Sequence, residues 1–313
     1  MGSRSPTRRT PRIRLARSRL NLMKALQLQP SATALARSVT GLQCALAVIF
    51  LLACVPRIVS AQQETSPTAS QLTPLQLEIE KQRQRLKSSE TEERRDAVMR
   101  LGWMKRTESS RVAAIALGDS SAIVRATAAR AVLSLAPDEA AALLIPLLQD
   151  RDGFVRQETA YALGEARSRT ATTALIALLE KEKNDGVRGA VAVALGQIGD
   201  EAAVITLAQL LGRRVPASGI INRVRRSKRD ENEFVRRAAA RSLGQIHSRA
   251  AVPALIAVVI DERAPDDVRR EAANSLGLIG DPTAIPALRS LLTARDPYLS
   301  RIASEAILKI APG

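Results

Sequence analysis

One phrase returns along this chain about every thirty residues, and it constrains the fold more than any other feature. The phrase is Val-Arg, then a small residue four positions after the valine, Leu or Val at eight, and Gly at nine. Its clear copies start at Val124, Val155, Val187, Val235 and Val268, and weaker copies are anchored at Glu93 and Leu299. The steps between these anchors are 31, 31, 32, 48, 33 and 31 residues. Self-similarity at this period predicts a stacked-repeat solenoid, because no single unit can bury its apolar face alone.

Each repeat divides into two helices joined by a short turn. In the first helix, apolar residues recur 0, 4, 8 and 11 positions from the anchor, which places them on one helical stripe. One copy of this stripe is Val268, Ala272, Leu276 and Ile279. The glycine at position nine lets the neighbouring helix approach or the first helix end nearby. Leucine replaces it in two copies, so we interpret the glycine as helpful rather than required.

This pairing of helices resembles the HEAT-like repeats, including the subtype found in phycobilisome lyases. The resemblance covers roughly residues 90–311, about six and a half units. It implies an all-α fold, a right-handed α-solenoid of about six to seven helical hairpins over residues 91–313. Residues 74–90 are predicted to form a capping helix, because a terminal unit otherwise exposes one apolar side. Many unrelated activities use this scaffold, so the resemblance indicates a fold and no particular function.

An arginine follows most of the anchors, and acidic residues recur shortly before it. HEAT-type arrays are similar in running such pairs as a ladder between neighbouring repeats, which implies a structural role. Removing one arginine should then weaken two adjacent units rather than abolish a discrete activity. The predicted ladder arginines are Arg94, Arg125, Arg156, Arg188, Arg236 and Arg269.

The net charge of +16 suggests a nucleic-acid binder until the charge is located along the chain. Residues 1–60 carry ten Lys and Arg and no Asp or Glu, so the rest of the chain holds 37 basic against 31 acidic residues, a net +6. Aromatic residues make up only 2% of the chain, and strand-like alternation is absent. This composition favours helices packed through small residues over a sheet sandwich.

The first sixty residues are typical of an export signal. An arginine-rich lead precedes an apolar run over residues 44–55 and a small-x-small cleavage site that ends at Ala61. This run is shorter than the roughly 20 residues that span a bilayer as a helix. We therefore predict a signal peptide over residues 1–61, followed by a linker over residues 62–73. Cleavage would export the protein to the periplasm or the cell exterior, and the style of the signal suggests a bacterial source.

Alternatives stay open for this segment. Residues 41–60 would otherwise serve as an uncleaved membrane anchor with a cytoplasmic amino end. Cys54 lies in a stretch that resembles a lipobox and would then carry lipid. Translation that begins at Met23 would shorten the lead. Both cysteines, Cys44 and Cys54, lie in this segment, so a chain cleaved after Ala61 would hold neither a disulfide nor a thiolate metal site.

The long step between anchors contains an extra segment at residues 212–229, with seven basic residues and no acidic one. Insertions in solenoids become loops on one face, and long loops often carry binding residues. The segment is therefore either a contact site for an anionic surface or polymer, or a solvated loop. It lacks an aromatic residue to stack on bases, which disfavours single-stranded nucleic acid. The candidate partner-binding residues are Arg213, Arg214, Arg223, Arg225, Arg226, Lys228 and Arg229.

The sequence offers no catalytic, cofactor or metal site. Its one histidine, His247, is followed by Ser248, and so lacks the His-Glu pairs with which HEAT-fold deoxyhypusine hydroxylases bind iron. Trp103, Tyr161 and Tyr298 lie in separate repeats, and we interpret them as packing or surface residues. Enzymatic chemistry and bound cofactors are therefore not expected.

The favoured hypothesis is a non-catalytic scaffold that binds a protein partner through a concave face lined by the second helices. Side chains such as Glu180, Gln209 and Arg289 would be presented there. A bilin lyase or chaperone-like protein is an alternative that the lyase-type resemblance implies. A further alternative is electrostatic binding to nucleic acid or an anionic membrane through the tail and residues 212–229. Export disfavours nucleic acid, and a small-molecule ligand is not expected.

Overall fold

The computed structural model describes residues 72–212, 214–216 and 228–312. The predicted signal or anchor segment lies outside these residues, as do residues 62–71 of the predicted linker. Within the described part of the chain, no helix is both long and apolar enough to cross a membrane.

Fourteen α-helices and one short hairpin make up the described residues. The helices are α1 (Pro74–Arg85), α2 (Thr91–Trp103), α3 (Thr107–Ala113), α4 (Ala122–Ala131), α5 (Pro137–Leu144), α6 (Gly153–Ala166), α7 (Thr172–Lys181), α8 (Asp185–Ile198), α9 (Val204–Leu211), α10 (Glu233–Ile246), α11 (Val252–Ile260), α12 (Asp266–Ile279), α13 (Ile285–Ser290) and α14 (Pro297–Ile310). Short 3₁₀ segments extend the second helices at Ala114–Gly118, Ile145–Gln149, Arg169–Ala171, Glu201–Ala203, Arg249–Ala251 and Pro282–Ala284. The strands β1 (Arg214–Pro216) and β2 (Lys228–Asp230) pair antiparallel.

The helices stack in two layers. The first helices of the repeats (α2, α4, α6, α8, α10, α12 and α14) each pack against the next first helix. The second helices (α3, α5, α7, α9, α11 and α13) pack behind them, and α1 precedes the array and packs against α2 and α3. The all-helical repeat solenoid predicted from the sequence is confirmed.

The valine of the repeated phrase is a core residue. Val124, Val155, Val187, Val235 and Val268 are all 0% exposed, and Leu299 takes the same place in α14. Full burial of a side chain of this size stabilises a fold by about 1.5–3 kcal/mol. Six of the seven first helices repeat this buried anchor, and Glu93 at the anchor of α2 is exposed. The buried side chains of the repeats form an apolar core between the two layers.

The turns between the two helices follow the chemistry of their residues. Gly280 ends α12 with a φ of 74°, in the left-handed region where glycine carries no steric penalty. Asp281 then accepts a hydrogen bond from the backbone N–H of Thr283 at 2.9 Å and so begins the 3₁₀ segment. Such tight turns join each first helix to its second helix, which then packs against the first helix of the next repeat.

Neighbouring first helices meet at a seam of glycine against a small residue. The glycine nine positions after one anchor faces the alanine or serine seven positions after the next anchor. A methyl group at Gly244 would lie 2.9 Å from the Cα of Ser275, and one at Gly277 would lie 2.8 Å from the Cα of Ala306. The contacting pairs are Gly102–Ala131, Gly164–Ala194, Gly196–Ser242, Gly244–Ser275 and Gly277–Ala306. The seam therefore requires glycine at the place where the sequence repeats it.

Serine hydroxyls add a polar contact to this seam. Ser242 donates to the carbonyl oxygen of Ala192 at 2.8 Å, and Ser275 donates to that of Ala240 at 2.8 Å. Both hydroxyls are buried, so each satisfies its hydrogen-bonding need across the interface between repeats.

We predict that Gly244→Ala destabilises the array although alanine is the better helix former. The new methyl group would overlap backbone and Cβ atoms that cannot move independently, which costs roughly 1–3 kcal/mol. Gly118→Ala is the matched control, because nothing lies within 4 Å of a Cβ at that position. Urea denaturation followed by circular dichroism should show a lower midpoint for Gly244→Ala alone, and equal midpoints would contradict the seam.

Candidate functional site

A groove of about 610 Å³ lies on the first-helix layer, where α2, α4 and α6 are neighbours. Helix α4 forms its floor, and side chains of α2 and α6 form its walls. Trp103 at the end of α2 is 68% exposed, and Phe154 at the start of α6 is 47% exposed. Two large aromatic side chains thus remain partly exposed to solvent at the edge of the same groove.

The floor is recessed because the side chains that α4 presents there are smaller than those of α2 and α6 on either side. Ala126, Thr127 and Ala131 line the groove from α4, whereas Met99 and Trp103 line it from α2. The Thr127 hydroxyl donates to the carbonyl oxygen of Ile123 at 2.7 Å, so its polar group is already satisfied. The floor is therefore largely apolar and its backbone groups lie within a helix.

The break in the glycine pattern accounts for the open end of the groove. Leu133 stands where five other first helices carry the seam glycine, and α4 ends at Ala131 after ten residues. Helices α6, α8, α10 and α12 each run for 14 residues. A leucine cannot pass the facing helix at glycine distance, so the chain leaves the helix early and Leu133 borders the groove. Leu308 is the other exception, in α14, and is 63% exposed.

Ion pairs between repeats set the spacing of the three helices. Arg94 donates to both carboxylate oxygens of Asp119 at 2.7 and 2.8 Å, and Arg125 does the same to Asp150 at 2.7 and 2.8 Å. Arg125 also donates to the backbone carbonyl of Asp119 at 2.8 Å. Each arginine thus links the turn before its own first helix to the turn before the first helix of the next repeat. Bidentate pairs of this kind fix orientation as well as distance.

The same pairs shift the titration of the carboxylates. Hydrogen bonds from Arg94 hold the pKa of Asp119 below its ordinary value, and those from Arg125 lower the pKa of Asp150 in the same way. The side chains of these pairs are about 90% buried. Solvent therefore screens them little, and their charge state matters for stability.

The ladder continues through two more rungs. Arg156 donates to Glu182 at 2.7 Å. Arg188 donates through two nitrogens to Glu231, once at 2.7 Å, and both side chains are almost fully buried. Glu231 directly follows β2, so this rung joins the repeats on either side of the insertion.

The structure differs from the predicted ladder at its last two arginines. Arg236 is buried, its Nε has no hydrogen-bond partner, and among the described residues it forms no ion pair. Asp261, which stands at the corresponding place, is exposed. It accepts from the backbone N–H two residues on, as Asp119 and Asp150 also do, but it does not pair with Arg236. Arg269 donates to the carbonyl of Val259 at 3.2 Å and lies 3.5 Å from Asp266 of its own helix. The link to the following repeat is made by the next residue in sequence, since Arg270 donates to Asp296 at 2.6 Å.

A second pair of positions matches neighbouring first helices. In two places the residue just before an anchor contacts the residue two positions after the preceding anchor. Phe234 sits where Gly189 leaves space for its ring. Arg270 lies 5.4 Å from the ring centroid of Tyr298 in a cation–π contact. At the groove the residues in these two positions are Phe154 and Ala126, and both line it.

Some charged side chains around the groove form ion pairs and others do not. Arg130 lies 3.3 Å from Glu158, and Arg95 donates to Glu92 at 3.2 Å through Nη1. The Nε of Arg95 is buried without an acceptor. Lys105, which also borders the groove, forms no ion pair within the described residues.

The basic insertion, where it is described, contains the two-stranded hairpin rather than a plain loop. Arg214 pairs with Asp230, and Pro216 pairs with Lys228, in the antiparallel register. Arg229 lies on β2 opposite Val215. Arg213, Arg223, Arg225 and Arg226, the other candidate binding residues, lie outside the described residues.

The second-helix layer has a smaller groove of about 340 Å³ between α7 and α9. Glu180 and Gln209, predicted to face a partner, both line it. Arg289 is exposed on α13, away from that groove. The structure therefore brings two of the three predicted side chains together, but the larger groove lies on the opposite layer.

The remaining chemical candidates stay separate. His247 ends α10 in the left-handed region at a φ of 59°, and its Nδ1 lies 2.9 Å from the carbonyl oxygen of Gln245. Among the described residues, no group of His, Cys, Asp and Glu could hold a metal ion. Sequence reasoning missed Phe154 and treated Trp103 as an isolated aromatic. The signal that pointed to both was the loss of the repeated glycine at Leu133.

A stack of helical hairpins with grooves on its two faces defines a helical-repeat scaffold. A family model for HEAT repeats matches the chain over residues 79–164, 143–218 and 218–309, and the chain therefore belongs to the HEAT-repeat family. A search among curated proteins gives no sequence match.

The chain is also similar to solved structures. The Escherichia coli protein YibA is 21% identical, with a TM-score of 0.52 over 75% of this chain and 81% of that one. The complex of CpcE and CpcF of phycocyanin lyase from a Nostoc species is 25% identical, with a TM-score of 0.45, and covers 79% of this chain and 90% of that one. Human deoxyhypusine hydroxylase is 19% identical, with a TM-score of 0.31 over 75% and 96% of the two chains. The likeness to YibA shows the fold, and none of the three assigns an activity.

We predict that Asp150→Asn lowers stability at neutral pH by roughly 2–3 kcal/mol, because it leaves the buried Arg125 without a charged partner. A carboxylate with a lowered folded pKa stabilises the fold above its unfolded pKa, near pH 4. That contribution is lost as the pH falls through the lower folded value. The difference in the free energy of unfolding between Asp150→Asn and the unaltered protein should therefore become smaller in acid.

Denaturant midpoints measured across this pH range test the ladder. Asp261→Asn serves as the control, since Asp261 stands at the matching position and has no ion pair to Arg236 in the described structure. A similar loss for both variants at neutral pH would show that the interrepeat pair is not the cause.

We predict that the array folds without its insertion. Arg214 and Asp230 are partners on adjacent strands, so their Cα atoms lie about 4.5–5.5 Å apart and a direct join needs little movement. The contacts that hold α8 to α10, namely Arg188–Glu231 and Gly196–Ser242, lie outside the deleted residues. A chain lacking residues 215–229 should keep its helical circular dichroism and melting temperature, and a large drop in either would make the insertion structural.

Proposed function

We propose that this protein is a non-catalytic scaffold that binds a protein partner through the first-helix layer, at the groove between α2, α4 and α6. The observation that carries the proposal is the pair of exposed aromatic side chains, Trp103 and Phe154, which border an apolar floor. Tryptophan and other large aromatics are the residues that most often dominate binding energy at protein interfaces.

The rest of the groove supports this use. Its apolar centre is edged by charged side chains of both signs, which is the usual arrangement of an interface core and rim. The ladder of buried ion pairs keeps the three helices at a fixed spacing, so a partner would meet a preformed surface and lose little affinity to its ordering. Together these features favour α2, α4 and α6 over the second-helix face that the sequence suggested.

The predicted export signal and basic insertion extend this proposal. Cleavage near Ala61 would place the scaffold and its partner outside the cytoplasm. The seven basic residues of 212–229 would add an electrostatic contact to an acidic surface of that partner. Neither feature is needed for docking at the groove itself.

We expect a photo-crosslinking amino acid at position 103 to capture a discrete protein partner in living cells. The same residue at position 209 reports on the second-helix groove, and at position 298 on an exposed first-helix site distant from the groove. Phe154→Glu should remove the adduct formed from position 103, because it places a charge on the apolar wall.

Phe234→Glu is the matched control, since Phe234 holds the same place in its repeat and is also partly exposed. It should leave the adduct unchanged. An adduct that forms from position 209 and not from 103 would instead assign docking to the second helices. Equal capture at all three positions would indicate unspecific contact.

A further inference from the structure

The interface between α10 and α12 lacks the ion pair that joins the other first helices. In the described structure, an arginine of α2, α4, α6, α8 and α12 binds a carboxylate in the turn before the next first helix. Arg236 of α10 has no such partner, and Asp261 in the turn before α12 is exposed. One of the two contacts that fix the rotation between neighbouring first helices is therefore missing at this interface.

Arg236 is nevertheless as buried as the arginines that have a partner. It is 6% exposed, whereas Arg94 and Arg125 are 8% and 7% exposed. Its Nε has no hydrogen-bond partner. Glu231, which lies in the turn before α10, is already bound through both carboxylate oxygens by Arg188. Burial thus removes the hydration of Arg236 without an ion pair in exchange, which is a cost that the other interfaces do not carry.

The contacts that remain between these two repeats are the glycine seam and exposed ion pairs. Gly244 faces Ser275, whose hydroxyl donates to the carbonyl oxygen of Ala240 at 2.8 Å. The arginine side chains of the ion pairs are between 44% and 82% exposed, so solvent screens these pairs and each contributes little. The pairs are Arg237–Asp267 at 3.7 Å, Arg241–Glu271 at 2.9 Å and Arg249–Asp281 at 3.7 Å.

We infer that the array has a hinge at this interface, where α10 and α12 separate far enough for water to reach Arg236. Separation restores the hydration of the guanidinium, which offsets part of the cost of breaking the packing. At the interface of α8 and α10, separation would instead break the buried pair of Arg188 with Glu231. The helices α2 to α10 therefore stay together, and α12 and α14 move relative to them. The groove between α2, α4 and α6 lies wholly on one side of this hinge.

Modification of introduced cysteines compares the two interfaces within one molecule. Ser275 faces Gly244 between α10 and α12, and Ser242 holds the same place against Gly196 between α8 and α10. Both serines are at most 1% exposed, and each donates a hydrogen bond of 2.8 Å to a carbonyl of the facing helix. The full chain carrying both Ser275→Cys and Ser242→Cys is treated with a maleimide under native conditions. Peptide mass spectrometry then follows each of the two positions separately from the natural cysteines.

The cysteine at position 275 should react about tenfold faster or more than the one at position 242. An uncompensated buried charge favours opening by more than the free energy that corresponds to this factor of about ten. Unfolding of the whole array exposes both positions equally, so a difference between them reports local opening.

Two further variants test the role of the unpaired charge. Arg236→Met removes it and keeps a long side chain, so the rate at position 275 should fall towards that at position 242. Arg188→Met removes an arginine that has a partner, and it should instead raise the rate at position 242. If Arg188→Met does not fold, the comparison of the two positions with and without Arg236→Met still decides.

Equal rates at the two positions would overturn the hinge. A rate at position 275 that Arg236→Met leaves unchanged or raises would also overturn it, because the unpaired charge would then not be what opens the interface. Docking at the groove is measured separately by crosslinking from position 103, so the failure of one proposal leaves the other standing.

Discussion

The close approach of neighbouring first helices is the constraint on which the rest of the structure depends. It requires glycine on one helix and alanine or serine on the next, because any larger side chain would overlap the facing backbone. Helices α6, α8, α10 and α12, which carry this glycine, each run for 14 residues. Where Leu133 interrupts it, α4 ends early and the groove appears. The candidate site thus lies beside the one interface between first helices where leucine replaces the repeated glycine.

The arginine ladder complements this packing. The glycine seam acts near the carboxyl ends of the first helices, whereas Arg94, Arg125, Arg156 and Arg188 act near their amino ends. Two separated contacts define both the distance and the rotation between adjacent helices. The buried pair of Arg188 with Glu231 preserves this geometry across the insertion, and α8 packs directly against α10. A preformed groove beside such rungs is a suitable surface for a partner.

The sequence predicted the repeats well because each one carries its own local pattern. The anchor valines, the paired helices and the turn at Gly280 and Asp281 all follow from period, capping chemistry and burial. Prediction was weaker where two distant residues had to meet. Trp103 and Phe154 are about fifty residues apart and have no shared motif. Asp261 matches the ladder spacing yet forms no ion pair with Arg236 in the described structure. Such outcomes depend on how a turn orients one side chain.

By itself the sequence determined the architecture, since a period of about 31 residues with one apolar stripe per helix can bury its surface only by stacking. It also located the exception at Leu133 without giving its consequence. Only the tertiary structure decided which face carries the larger groove and which arginines find a carboxylate. Those features arise between repeats, from the fit of side chains that the chain order keeps apart, and fit of that kind is set by packing rather than by local pattern.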